Sequence, residues 1–234
     1  MFVAKLICLL MPCITAAVFL AGTVSRIRNW NRAGAARIPL FPTPPTPYRK
    51  WRRILVESLS FNQLSEGNRS LWIGTWVFHL FLLMVLIGHS RLITDFPLLR
   101  RNLGYENTIA DRFGTTIGET AGLVLLASAI YILICRLTFV RVREISGVTD
   151  YATMALILAV VISGDLMRFS SHFDLARYRE FFSGLYGLRP TAIPRDPWFL
   201  LHFFSAQVLI MCIPFSKLLH IPGVFYSKSA LYQG

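Results

Sequence analysis

Five blocks of the sequence, at about 3 to 24, 71 to 93, 114 to 136, 151 to 168 and 198 to 221, are apolar over nearly the roughly 20 residues that a helix needs to cross a bilayer. Such runs admit few folds. Lipid offers no water to backbone N–H and C=O groups, so a crossing segment of this length satisfies them internally, as an α-helix. The chain of 234 residues is 54% hydrophobic and 15% charged, and its apolar residues cluster in blocks rather than at the spacing of a soluble core. The expectation is an all-α integral membrane bundle of five transmembrane helices, one domain over residues 1–234. The first block resembles a signal peptide in having Lys5 before an apolar stretch that ends near Ala21-Gly22. Its full membrane length, with basic residues crowded after it, favours a retained helix.

Charge orients the bundle. Arg26, Arg28, Arg32, Arg37, Arg49, Lys50, Arg52, Arg53 and Arg69 lie between the first two blocks, against only Glu57 and Glu66. The positive-inside rule makes this loop cytoplasmic. With alternating helices, Arg136, Arg141 and Arg143 after the third block and Lys217 and Lys228 near the end fall on the same side. The N-terminus is then outside and the C-terminus inside, in a multi-pass protein of the cell membrane. The loops at about 94 to 113 and 169 to 197 are near neutral and outside. A net charge of +12 invites a nucleic-acid reading, but the basic residues flank membrane spans, where lipid headgroups or a cytoplasmic partner account for them.

Within the cytoplasmic loop, residues 25–70, the segment IPLFPTPPTP at 38–47 is a non-helical spacer, because proline after proline removes backbone donors. The following YRKWRRILVESLSF forms a basic amphipathic helix with Trp51, Ile54, Leu55 and Leu59 on one side. A membrane surface and a partner subunit suit it equally. Cys8, Cys13, Cys135 and Cys212 fall in or beside apolar blocks without CxxC spacing, as small core residues would. Trp72, Trp76, Tyr151 and Trp198 stand at block ends, as an interfacial belt requires.

Four of the five histidines sit in or at the edges of blocks two and five: His79, His89, His202 and His220. His172 is in an outer loop. An ionisable group inside a membrane is a functional hypothesis by default, with an interhelical hydrogen bond as the plainer alternative. Blocks two and five run antiparallel, so matching depths pairs His89 with His202 on the outer side and His79 with His220 on the inner side. Two imidazoles facing each other in an apolar slot are what a six-coordinate b haem needs. The intervals do not match, however: ten residues rise about 15 Å along a helix and eighteen about 27 Å. Tilted helices, or a bend at Pro214, must absorb the difference. Zinc or copper would require ligands bunched within a turn or two, which this spacing does not supply.

The stretches PCITAAVFLAG (12–22), FHLFLLMVLIGH (78–89), RLTFVRVR (136–143) and LHFFSAQVLIMCIPFSKLLHI (201–221) resemble the cytochrome b gamma subunit of respiratory nitrate reductase. That resemblance implies two b haems on the matching histidines, in the same pairs, and an iron–sulfur partner on the cytoplasmic face. The longer first loop is more similar to relatives that occur with heterodisulfide-reductase-like iron–sulfur subunits. The lysine that the family places before helix three is replaced near Ala110, with Arg112 close by, which bears on the quinol pocket. The implied function is that of a quinol-oxidising electron-transfer subunit of an anaerobic respiratory complex. Menaquinol or another quinol gives up electrons at the outer pair, and they pass by the inner pair to the partner. Arg91 then pairs with an outer haem propionate, or snorkels, and Lys217 has the same two options at the inner haem. Glu119 and Asp165 accept quinol protons, or hydrogen-bond within the bundle. The competing functions are a histidine-relay proton channel or transporter, and a membrane anchor without a redox role. Few polar residues lie between the histidines of blocks two and five, which speaks against a relay.

Overall fold

The computed structural model describes residues 2–33, 46–61, 64, 67–93, 107–170, 174–187, 189 and 193–231, and among them there is no strand. Most of the spacer at 38–47, and residues 94–106 of the expected outer loop, lie outside the described residues. The helices are α1 (Phe2–Lys5), α2 (Met11–Ala33), α3 (Pro47–Ser60), α4 (Arg69–His89), α5 (Asn107–Thr138), α6 (Val140–Glu144), α7 (Val148–Ser170), α8 (Leu175–Tyr186), α9 (Pro197–Cys212) and α10 (His220–Leu231). A π-helical stretch, Leu6–Leu10, joins α1 to α2. Five helical stretches are long and apolar enough to span a membrane: Phe2–Arg32, Arg69–Leu92, Thr115–Thr138, Val148–Phe169 and Pro197–Phe215. In their apolar windows only 11% to 33% of the residues are buried inside the bundle. Side chains such as Leu80, Ile87 and Ile134 therefore face outward, which water would not tolerate over so large an area but lipid does.

The helices start where the chain supplies caps. Thr46, Asn68, Asp174 and Asp196 accept from backbone N–H groups of the first turns of α3, α4, α8 and α9, and Pro47 and Pro197 stand where a helix needs no donor. Packing then follows the order α4, α5, α7, α9, α2, each helix resting on the next. Phe78, Leu125 and Ala129 form the buried seam of the first three. At one end of the bundle α8 caps the start of α9 and the π-helical stretch, through Cys8, Tyr178, Phe181 and Phe199. The stretch at about 169 to 197, expected as a loop, thus carries a helix capped by Asp174. At the other end lie α3 and α10, which pack together. Among the described residues α4 does not pack on α9 or α10 beyond stray contacts, so the arc of helices leaves a cleft between them.

The fifth span is not one helix. It breaks after Cys212 into a 3-10 turn, Ile213–Phe215, then an extended Ser216, a second turn Lys217–Leu219, and α10. Pro214 cannot donate to the helix ladder, and Gly22 of α2 makes the break possible. A Cβ on Gly22 would stand 2.8 Å from Pro214 Cβ and 2.9 Å from the Phe215 ring. Higher up, buried Gln207 donates to Ile7 O and Phe203 O at 3.1 Å, tying α9 to the π-helical stretch. At the α5–α7 corner Lys217 donates to Asp150 at 2.7 Å and to Ile145 O at 3.1 Å, with Arg136 3.8 Å from Asp150.

Two expected outcomes follow from this packing. Gly22→Leu overfills the contact with Pro214 and should destabilise the bundle by about 1–3 kcal/mol, read as a lower unfolding midpoint in detergent. Glu57 accepts from Arg53 at 2.8 Å and from Lys228 of α10 at 3.0 Å. These bonds, that of Arg53 foremost, hold its carboxyl below the usual carboxylate range. A depressed carboxyl stabilises at every pH above its unfolded value and loses that contribution as pH falls through its folded value. Amide exchange in α3, corrected for intrinsic rate, should thus match that of Glu57→Gln only below about pH 4.

Candidate functional site: paired imidazoles in the cleft

In the cleft the four membrane histidines stand as two pairs. His89, the last residue of α4, and His202, one turn into α9, have ring centres 6.0 Å apart and planes 23° apart. His79, midway along α4, and His220, the first residue of α10, have ring centres 6.0 Å apart and planes at 90°. The break in the fifth span reconciles the unequal intervals. Eighteen residues would overshoot ten by about two turns in one straight helix, but the chain from Cys212 to His220 is not straight.

Backbone carbonyls set the chemistry of three of the rings. His79 Nδ1 lies 2.8 Å from Thr75 O, His89 Nδ1 2.8 Å from Val85 O, and His202 Nδ1 2.9 Å from Val160 O on the neighbouring α7. A carbonyl only accepts, so each Nδ1 carries the proton and donates it. Nε2 is left as a neutral lone pair, the state of a metal ligand whose other nitrogen is anchored. Ser163 Oγ lies 3.4 Å from the same nitrogen of His202. Gly164 makes the approach possible, since a Cβ there would stand 3.1 Å from the ring.

The separation suits a shared metal. An imidazole nitrogen binds a metal at about 2 Å and its ring centre lies about 1 Å behind, so one iron between two imidazoles spaces the centres by about 6 Å. The residues present thus fit two bis-histidine haems, one toward each end of the cleft.

A polar cluster lies at the α8 end. Arg168 Nη2 donates to Thr115 O at 3.2 Å, and its Nε stands 4.0 Å from Glu119. Gly118 and Gly122, four residues apart on α5, leave a seam in which the Arg168 and Asp165 side chains lie against bare backbone. Asp165 Oδ2 is buried and has no hydrogen-bond partner among the described residues. Arg91 follows the end of α4, and its backbone carbonyl accepts from Arg179 of α8 at 2.7 and 3.1 Å. Arg112 stands in the first turns of α5, with its side chain outside the described residues, as is the whole of His172. Lys217, three residues before His220, donates to Asp150 at 2.7 Å.

Some participants escaped sequence reading. Thr75, Val85 and Val160 act through carbonyls, which side-chain identity does not reveal. Arg168 stands in the last turn of α7 and Arg179 in α8, within the stretch expected as a loop. A groove of about 300 Å³ between α4 and α5 is lined by Ile73, Gly74, Val77, Val124 and Tyr131, without any histidine.

Residues 51–231 match the family model described as nitrate reductase gamma subunit. The chain is 29% identical to the Hdr-like menaquinol oxidoreductase cytochrome b-like subunit of Archaeoglobus fulgidus, over 94% of this chain and 77% of that protein. The subunit of the same name from Archaeoglobus profundus is 25% identical, over 94% and 76%. The nitrate reductase gamma chain of Bacillus subtilis is 27% identical, over 63% and 70%. With this match across most of its length, the chain belongs to the nitrate reductase gamma subunit family, as a multi-pass membrane protein with an all-helical fold.

Proposed function

We propose that this chain is the di-haem b membrane subunit of an anaerobic respiratory complex and conducts electrons from a membrane quinol to a cytoplasmic iron–sulfur partner subunit. The observation that carries this reading is the pair of imidazole pairs, each at 6.0 Å and set at two levels of one apolar cleft. The printed names of the archaeal relatives, which specify menaquinol and a cytochrome b-like subunit, support it. When bound, the two haems supply one-electron carriers between the quinol and the partner.

The chain's own residues do the rest. His89 and His202 hold the outer position and His79 and His220 the inner one, with the N-terminus outside, in the cytoplasmic membrane. Anchored Nδ1 protons keep the rings turned so that Nε2 faces the cleft. The α5–α7 seam lies at the outer end, where Asp165, with its free oxygen, takes a quinol proton, and Glu119 beside Arg168 passes it outward. Arg112 flanks the quinol pocket from the start of α5. Arg91, fixed through its carbonyl by Arg179, neutralises an outer propionate. Lys217 stays with Asp150 and braces the corner through which the chain reaches His220.

Purified protein should show a reducible b-type α band with two components, and a preparation without a Soret band overturns the reading. Replacing His89 or His202 by Ala should remove the outer component, about half of the haem, and replacing His79 or His220 the inner. Perpendicular imidazoles narrow the splitting of the iron d orbitals. The inner pair should therefore give the more anisotropic low-spin resonance and the outer, at 23°, the more rhombic one. Gly164→Val should push His202 aside and disturb the outer component alone. Asp165→Asn should slow quinol oxidation about 100-fold or more with both haems retained.

A further inference from the structure

The two pairs are braced differently. His202 is fixed from within the bundle by Val160 O, Ser163 and the space at Gly164, all on α7, which packs closely on α9. The inner pair has no such support. Among the described residues His79 hydrogen-bonds only within its own helix, to Thr75 O, and His220, just past the break in the fifth span, touches no ring but His79. Nor does α4 pack on α10 beyond stray contacts among these residues.

What links the two helices is α3, from the long loop. Its last carbonyl, Ser60 O, accepts from Trp72 Nε1 at 2.9 Å and Trp76 Nε1 at 3.4 Å, both on α4. Phe61 follows at φ 49°, a left-handed conformation that few residues other than glycine adopt. Its ring lies against Trp76, with centres 5.6 Å apart, and against the His79 imidazole, at 5.2 Å and 40°. Four residues back, Glu57 accepts from Lys228 of α10 at 3.0 Å. From the far side Tyr226 fixes α10 by donating to Trp30 O at 2.5 Å and stacking on the Trp30 ring.

We propose that α3 is a bracket that positions the inner histidine pair, with Phe61 holding and shielding His79 while Glu57 holds the helix that begins at His220. This rests on the functional reading above for its redox consequence, but not for its mechanics. A backbone held in a sparsely populated conformation persists where its surroundings over-determine it, and here those surroundings are the His79 ring and two tryptophans. Glycine would relieve the backbone and remove the ring. A purely structural role for Phe61 therefore predicts that Phe61→Gly leaves the rest of the molecule unchanged, whereas the bracket predicts damage confined to the inner pair.

The test compares the full-length wild type with Phe61→Gly, Phe61→Tyr, Glu57→Lys and the double swap Glu57→Lys/Lys228→Glu. Hydrogen–deuterium exchange is followed together with a redox titration of the α band and low-spin resonance. In Phe61→Gly and Glu57→Lys, exchange should rise around residues 75–82 and 217–226 and stay at the wild-type level around 158–166. The inner potential should fall, because water reaching His79 favours the oxidised, more positive iron, and the outer potential should hold. Phe61→Tyr should restore the first variant and the charge swap the second. Exchange unchanged in both segments, or raised equally around 158–166, overturns the bracket. Local exchange changes in a protein that lacks an inner haem would leave the bracket standing and sink the functional reading instead.

Discussion

An imidazole placed among lipid tails must give its N–H to something, and in this protein that something is a backbone carbonyl. Three of the four membrane histidines donate Nδ1–H to Thr75, Val85 or Val160. That one bond settles the tautomer, the ring orientation and the nitrogen left for a ligand. It also demands helices straight enough to present the carbonyl a turn below the ring, as α4 does for both of its histidines. For His202 the acceptor is on another helix, so the α7–α9 contact must be close. Gly164 supplies that closeness, standing where any side chain would crowd the ring.

The cleft follows from the order of packing. Because α4, α5, α7, α9 and α2 form an arc rather than a closed ring, α4 and α9 face each other without interdigitating. A closed bundle would fill the same space with leucine and phenylalanine, as the seam of Phe78, Leu125 and Ala129 does between α4 and α5. Holding such a cleft open requires elements at its ends. Loop helices serve at both: α8 reaches Arg91 O through Arg179, and α3 reaches Trp72, Trp76 and His79.

The spans and the depth pairing of the histidines were legible because both follow from single periodicities, 20 apolar residues per crossing and 1.5 Å of rise per residue. The mismatch of ten against eighteen was visible too, and Pro214 was the right place to look. Less legible was that the chain abandons the helix from Ile213 to Leu219, since proline alone commonly gives a kink, and the fuller break depends on Gly22, some 190 positions earlier. Net charge, which marks the stretch at about 169 to 197 as a loop, is blind to the helix α8. Its signal was present as Asp174, a capping residue, ahead of LARYREFFSGLY, in which Tyr178 and Phe181 turn to one face. Trp72 and Trp76 stand at a span end as an interfacial belt implies, yet both indoles donate to Ser60 O, and only coordinates show that a tryptophan serves a helix terminus. Cys13, read as a core residue, is exposed, whereas Cys8 and Cys135 are buried.

On α7 the two proposed roles of the outer end meet in consecutive residues. Gly164 faces the His202 ring, while Asp165, about 100° further around the helix, points into the glycine seam of α5. A helix that is rigid over one turn therefore fixes the distance between the proposed electron acceptor site and the proposed proton acceptor. In the proposed function, electron and proton would leave the quinol toward different faces of one helix, one toward α9 and the other toward Gly118 and Gly122. Such an arrangement lets the proton site be tuned by Arg168 and Glu119 without touching the imidazoles. It also places the burden of separation on small residues: any side chain at Gly164 crowds the ring, and any at Gly122 drives Asp165 from its seam.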